Sequence, residues 1–497
     1  MKKNVMCILC DQLRADFLSC YNPNSPVQTP NIDSLTKDGI LFEHAITASP
    51  VCAPGRASIM TGRYVSDHQV WTNDVPFRDG IDYLPARMRE NGYICGSFGK
   101  LHHFPARDTK GFHEAWQMEE NRLKNDDDYF QYLKNLHPEI TDLFQINDNS
   151  NFKFSKEEYY ESQIASRAIK FIDKNKGKSP FFTWVSFQGP HTPMDPPELD
   201  YNVSSVPSPI LPDYDPFCEV PLYRKSRGNL LNSKEVERYR LDYARMIEFI
   251  DGKIGEIIAY LKKEELYENT VILFSTDHGE LCGDYSMYQK GPFLYQAQLE
   301  VPLIIANHPD LPKAHTTTML TSNLDIGSTF LSVAGDKKPL GYSRDIAEMY
   351  CNPEVQRNTI YSEFCDSMKL ISDKEYRFAY YPFTGECELV RISDETVNLS
   401  TNPEYQTLVS KYLKDIIDYM VIAKGVGIEA QDLTPKVQQG LQDKLPEYKN
   451  IVPLAFPIAN ITQINALKRD GLNSSYNEFC KDREIYRCYG MYWKEKK

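Results

Sequence analysis

The sequence predicts an α/β fold: a large, mostly parallel sheet sandwiched by helices, followed by a smaller C-terminal α+β subdomain with an antiparallel sheet. Three observations predict it. Apolar runs of strand length alternate with longer helical stretches through the first 355 residues. Those runs are apolar almost end to end, as strands covered on both faces are. From about residue 356 the runs become short and closely spaced, which is the pattern of antiparallel strands. A chain of 497 residues exceeds what one small core organises, so we divide it into an N-terminal domain, 1–355, and a C-terminal subdomain, 356–497.

The first strand is read at 5–10, where Val-Met-Cys-Ile-Leu-Cys runs into Asp11. Further strands are read at 93–98, 181–187, 271–275 and 301–306, each ending on polar or small residues. Helices are read at 29–37, 156–174, 234–261 and 326–333. The second opens with Ser155-Lys156-Glu157-Glu158, a capping-box pattern, and the third carries apolar residues at helical spacing opposite a charged face. The segment 188–221 is too rich in proline for a helix or an inner strand, so it is read as a surface loop. The acidic, aromatic stretch from about 120 to 155 reads as an insertion, with Asp126-Asp127-Asp128 as a solvated face. In the C-terminal part, strands are expected at 359–364, 368–371, 376–381 and 388–392 and a helix near 405–421. Residues 422–497 have weak periodicity and many aromatics, and read as a packing or homo-oligomerisation tail.

Net charge is −13, which argues against nucleic acid and against anionic membrane surfaces as partners. No apolar stretch is long enough to span a bilayer. The short apolar run at the N-terminus ends on an acid and reads as a strand, so a cytoplasmic location is expected. The 12 cysteines are scattered, without the density of a disulfide scaffold. Cys7 and Cys10 form a C-x-x-C, but three positions apart on a strand they face opposite sides and cannot chelate together. The sequons at Asn202, Asn398, Asn460 and Asn473 are what polar loops produce by chance.

The most informative stretch is 49–63, Ser-Pro-Val-Cys-Ala-Pro-Gly-Arg-Ala-Ser-Ile-Met-Thr-Gly-Arg. It sets Cys52 in a Pro/Gly turn where a helix begins, beside exposed N–H groups that favour an anion. Arg56, one turn on, adds a bidentate donor for an oxyanion. Asp11 ends the first strand and Asp277-His278 follows the 271–275 strand, and such strand ends open into the crevice where α/β sheets bind ligands. Two carboxylates suit Ca²⁺ or Mg²⁺, and an added imidazole suits Mn²⁺ as well. Lys100 and His102, two apart after a strand, can point to one side of the chain.

The 49–63 block resembles the signature of the formylglycine-dependent sulfatases, C-x-P-x-R followed by T-G-R. Gly55 stands where serine is most common. The resemblance covers most of the first 340 residues and implies an alkaline phosphatase-like fold. It implies that Cys52 is oxidised to formylglycine (3-oxoalanine) by a formylglycine-generating or anaerobic sulfatase-maturating enzyme. The aldehyde hydrates to a diol, and one diol oxygen attacks the sulfate ester. It implies one divalent cation, Ca²⁺ first with Mn²⁺ or Mg²⁺ as alternatives, held by Asp11, Gln12, residue 52, Asp277 and His278. Gln12 replaces a usual Asp and His278 an often-found Asn; the first resembles the choline-sulfatase and phosphonate-monoester-hydrolase branch.

Gly99-Lys100-Leu101-His102 matches the family's G-K-x-H, which assigns Lys100 to the sulfate and His102 to the neighbourhood of the diol. Pro190-His191-Thr192-Pro193 matches its P-H-x-P, with His191 as general acid on the bridging oxygen, and Lys290 matches a second sulfate-gripping lysine. Three of these side chains and the cation bring five positive charges against the two of Asp11 and Asp277. The expected activity is hydrolysis of a small-molecule or saccharide sulfate ester, in a protein of bacterial origin. A phosphonate monoester or phosphodiester hydrolase on the same scaffold is the rival, and a non-catalytic oxyanion-binding homologue ranks below both.

Overall fold

Strand β1 (Asn4–Asp11) is buried along its whole length and lies at the heart of the main sheet. The computed structural model describes residues 2–423 apart from 121, 142–146, 149, 150, 198, 212–232 and 383. Seven further strands complete this sheet: β2 (Gly39–Phe42), β3 (Ile94–Gly99), β4 (Glu114–Gln117), β5 (Phe181–Pro190), β6 (Thr270–Thr276), β7 (Leu303–Ala306) and β8 (His315–Thr317). Their order across the sheet is β8-β2-β7-β6-β1-β5-β3-β4. All pairs are parallel except those of β7, which runs against both β2 and β6. The chain between β6 and β7 holds no helix long enough for a crossover, so it re-enters the sheet from the edge it left. The expected 301–306 strand therefore exists but points the other way from the rest.

The two faces of the sheet are covered by different helices. Met6, Ile8 and Cys10 of β1 pack with α1 (Pro30–Lys37), α3 (Tyr160–Asn175) and α4 (Ser233–Lys263). Val5, Cys7 and Leu9 face the other way, toward α2 (Cys52–Thr61) and α5 (Ile326–Val333). Cys7 and Cys10 therefore lie on opposite faces, and all described cysteines are free thiols. No described helix is long and apolar enough to cross a membrane.

Two local expectations change. The Ser155–Glu158 pair does form, with Ser155 N and Oγ donating to Glu158 Oε2, but it closes a turn. Helix α3 begins only at Tyr160, with Tyr159 at its N-cap position and no side-chain cap. Asp127 is not part of a solvated face: it is buried and accepts the N–H groups of Tyr129 and Phe130 as the N-cap of the Asp128–Leu136 helix. Burial pushes its carboxyl up to about 7.

Strands β9 (Ile360–Phe364), β10 (Met368–Ser372), β11 (Tyr376–Tyr381) and β12 (Glu386–Arg391) form an antiparallel meander. One face carries α6 (Gln406–Ile422) through Tyr361, Ile371, Phe378 and Leu389 against Val409, Tyr412 and Ile416. The other face packs Phe364, Met368 and Leu370 against Val51 and Leu281, which flank the segments described next. The expected tail from 424 onward, with Asn460 and Asn473, lies outside the described residues.

Candidate active site

Parallel strands share one C-terminal edge, and four of them deliver side chains to it. Asp11 closes β1, Lys100 and His102 follow β3, His191 follows β5, and Asp277-His278 follow β6. The register sets Asp11 opposite Pro190, with an irregularity after Leu9 where the strands part, and Cys10 opposite Thr276. The sequence-predicted residues thus meet from four distant parts of the chain.

Helix α2 brings Cys52 and Arg56 to this edge, and every one of its residues is buried. Gly55 lets its first turn rest on the Asp277 backbone; a Cβ there would lie 3.0 Å from Ser49 O and 3.3 Å from Asp277 O. The T-G-R that follows is structural. Thr61 Oγ1 donates to Ala57 O, Gly62 ends the helix in the left-handed region at φ 63°, and Arg63 pairs with Asp67 at 2.6 Å.

Asp11, Cys52, Asp277 and His278 are all buried and offer ligand atoms within 4.8 Å of one another. Cys52 Sγ lies 3.6 Å from Asp11 Oδ1 and 3.2 Å from His278 Nε2. His278 Nδ1 is 2.8 Å from Gly279 O, so the ring nitrogen facing Cys52 carries the lone pair. Burial also holds this imidazole toward its neutral form. Two carboxylates and a neutral imidazole converging on one buried point fit a divalent cation. Gln12 stands beside them at φ 67°; Lys290 Nζ donates to its amide oxygen and its amide nitrogen donates to Glu280.

Arg56 ties the cluster together. Its Nε donates to Asp277 Oδ2 at 2.7 Å, its Nη2 to Asp11 Oδ2 at 3.1 Å, and its Nη1 to Lys100 O and Ser186 Oγ at 2.7 Å each. Lys100 Nζ reaches Asp11 Oδ2 and Glu120 Oε1, both at 2.7 Å. Burial works to raise the Asp11 carboxyl, yet Lys100, His191 and Arg56 hold it well below the usual carboxylate range. His102 is 3% exposed, sits at φ 60°, and neither ring nitrogen has a hydrogen-bond partner. Burial, then Arg122 and Lys100, keep it unprotonated.

Two further carboxylates at this site escaped the sequence reading. Glu120 accepts from Lys100, from Arg122 Nη2 at 2.8 Å and from Gln188, and stands 3.1 Å from His191 Nδ1. Glu280 accepts from Gln12 and from the N–H groups of Cys282 and Gln289. The expected count of five positive charges against two negative ones is thereby corrected: Glu120 and Glu280 enter on one side and Arg122 on the other. The adjacent acids Glu119-Glu120 at the edge of an apparent insertion gave the only hint, and charge pairs there usually face solvent.

Against known proteins, residues 3–336 match the family model described as Sulfatase. The chain is 28% identical over 464 residues to an arylsulfatase of Clostridium perfringens, covering 84% of this chain and 94% of that one. It is 27% identical over 367 residues to a choline-sulfatase of Rhizobium meliloti, covering 67% and 68% of the two. Among solved structures, the phosphonate monoester hydrolase of Agrobacterium radiobacter superposes with a TM-score of 0.75 at 23% identity, covering 85% of this chain and 96% of that one.

Proposed function

The chain belongs to the sulfatase family, with an alkaline phosphatase-like fold, and from that premise we propose that it hydrolyses a sulfate ester through a formylglycine made from Cys52 beside a divalent cation. The observation that carries the proposal is the position of residue 52. It lies where the cluster of Asp11, Asp277 and His278 meets the cations Arg56 and Lys100. The same three ligands, with residue 52 and the Gln12 amide oxygen, would hold the ion. Bound there, a divalent cation supplies Lewis acidity that lowers the pKa of an oxygen ligand. A formylglycine hydrate at position 52 would supply the nucleophile.

The chain's own residues do the rest. Arg56 fixes Asp11 and Asp277 relative to each other, so the ligand set is preorganised before any ion or ester arrives. Lys100 and Lys290 set positive charge against the non-bridging oxygens of the ester, where negative charge grows as the sulfuryl group transfers. His191, at the mouth, delivers a proton to the leaving oxygen, and unprotonated His102 accepts one from the side chain at position 52.

Mass spectrometry of the peptide containing residue 52, taken from enzyme active on 4-nitrophenyl sulfate, tests this. The expected mass is that of formylglycine or its hydrate; unmodified cysteine in fully active enzyme sinks the proposal. A second reading, hydrolysis of a phosphonate monoester or phosphodiester, is favoured by Gln12 where an aspartate is usual and by His278. Initial rates on 4-nitrophenyl sulfate beside a phosphonate monoester with the same leaving group separate the two. The maturation partner we assign is a formylglycine-generating or anaerobic sulfatase-maturating enzyme.

A further inference from the structure

Glu120 occupies an unusual place. Its backbone sits in the left-handed region at φ 48°, and its side chain is 18% exposed, whereas Lys100 and Asp11 behind it are fully buried. One carboxylate there accepts from three donors, Lys100 Nζ, Arg122 Nη2 and the Gln188 amide, and lies 3.1 Å from His191 Nδ1, which is itself bonded to Thr192 O. Lys100 and His191 are the side chains placed on the transferred group and on the leaving oxygen. Glu120 therefore stands one hydrogen bond behind the position of the ester, and it carries charge. Burial acts to raise its carboxyl, but Lys100, His191 and Arg122 together hold it well below the usual range.

A carboxylate held ionised so close to an anion-binding site lowers the local positive potential, and the effect on an anion grows with the charge the anion carries. Sulfate esters, phosphodiesters and phosphonate monoesters carry one negative charge near neutral pH. A phosphate monoester carries close to two. All share tetrahedral oxyanion geometry, so shape separates them poorly and charge separates them well. Asp11 and Asp277 do not make the distinction, because they belong to the cluster that would hold the divalent cation, whose charge offsets theirs, and Glu120 does not belong to it. Glu120 lies on the outer side, where the second charge of a dianion would add its repulsion.

We infer that Glu120 is a specificity-determining, positioning residue that restricts the site to monoanionic esters and disfavours dianionic phosphate monoesters. The inference rests on the reading of this site as an ester-transfer centre, and it holds equally for a sulfate and for a phosphonate preference. Glu120 touches no reacting atom; it acts through the charge and placement of Lys100 and His191.

The test compares kcat/KM on 4-nitrophenyl sulfate and 4-nitrophenyl phosphate, which share a leaving group and differ in the charge of the transferred group. It uses the full chain matured and loaded with metal, as wild type, Glu120→Gln and Glu120→Asp. The sulfate-to-phosphate ratio is expected to fall about tenfold or more in Glu120→Gln, with phosphate turnover gained. Glu120→Asp, which keeps the charge, is expected to hold a ratio near the wild-type one even where both rates drop. A purely structural role would lower both rates in all variants and leave the ratio unmoved. A Glu120→Gln ratio within twofold of wild type, or a shift of equal size in Glu120→Asp, overturns the inference. Absence of turnover by wild type on every ester would instead overturn the functional reading beneath it.

Discussion

Glu161 shows how a residue remote from the chemistry sets the loop that carries it. It lies in the first turn of α3, fully buried, and accepts Gly189 N–H at 2.6 Å and Gln188 N–H at 3.3 Å, immediately before Pro190 and His191. Burial pushes its carboxyl up to about 8 from an ordinary 4.5, against the pull of those two donors. Between these values the native state binds a proton that the unfolded chain has released. Stability contributed by the protonated group is therefore full below about 4.5, declines as pH rises to about 8, and is flat beyond. Glu161→Gln mimics the neutral form and should remove this decline. Urea midpoints of both proteins from pH 5 to 9 check it, and parallel curves for the two would contradict the assignment. Nothing in the sequence marked Glu161, since a glutamate in the first turn of an amphipathic helix is ordinary until the fold buries it. Arg56 was different: its spacing from Cys52 put it on the same face one turn later, and its four hydrogen bonds follow from that position.

At the scale of elements, the apolar runs were readable because both faces of the sheet are covered, so β1, β5 and β6 have no polar face to confuse with a loop. Strands β2, β4 and β8 are three or four residues long and gave no comparable signal. The reversal of β7 was not legible either, because an apolar run carries no direction. Helix α2 is the reverse case, an element whose ending the sequence spells out. At Gly62 a Cβ would stand 1.9 Å from Leu340 O, and the backbone is left-handed, so no side chain fits on either ground. Its carbonyl also accepts the Tyr342 N–H at 2.6 Å, which ties the helix end to the chain beyond α5. Gly62→Ala is expected to cost about 2 kcal/mol or more, from strain and displaced backbone together. Guanidinium titration would show it, and a loss under about 0.5 kcal/mol, the size of an ordinary surface change, would refute the packing argument.

On the scale of the whole molecule, a chain of net charge −13 must attract an anion into a pocket that itself holds Asp11, Asp277, Glu120 and Glu280. A divalent cation held by this cluster would therefore matter to capture as well as to reactivity, and its removal should be felt in both. Exhaustive chelation is expected to abolish turnover reversibly and to lower the melting temperature. An ion at a hundredfold excess over its Kd stabilises the native state by about 2.7 kcal/mol. Calorimetry of the chelated protein before and after adding Ca²⁺, Mn²⁺ or Mg²⁺ reads the effect and ranks the ions; activity indifferent to chelation would remove the metal from the proposal. The convergence of Asp11 and Asp277 was visible beforehand because strand ends are marked by where apolar runs stop. Glu120 and Glu280 were not, because their meaning comes from contacts with residues far away in the chain.

The burial of Cys52 has one more consequence, which concerns order in time. Its side chain is 1% exposed, and it lies in a helix with no exposed residue, pressed against the Asp277 backbone. Once that wall has closed, a second protein cannot reach the sulfur without pulling α2 out of the sandwich. The formylglycine proposed at this position would therefore have to be made on the newborn chain, in competition with folding for the same few moments. On that proposal, the yield of working enzyme would be set by a race decided before the molecule has the shape described above.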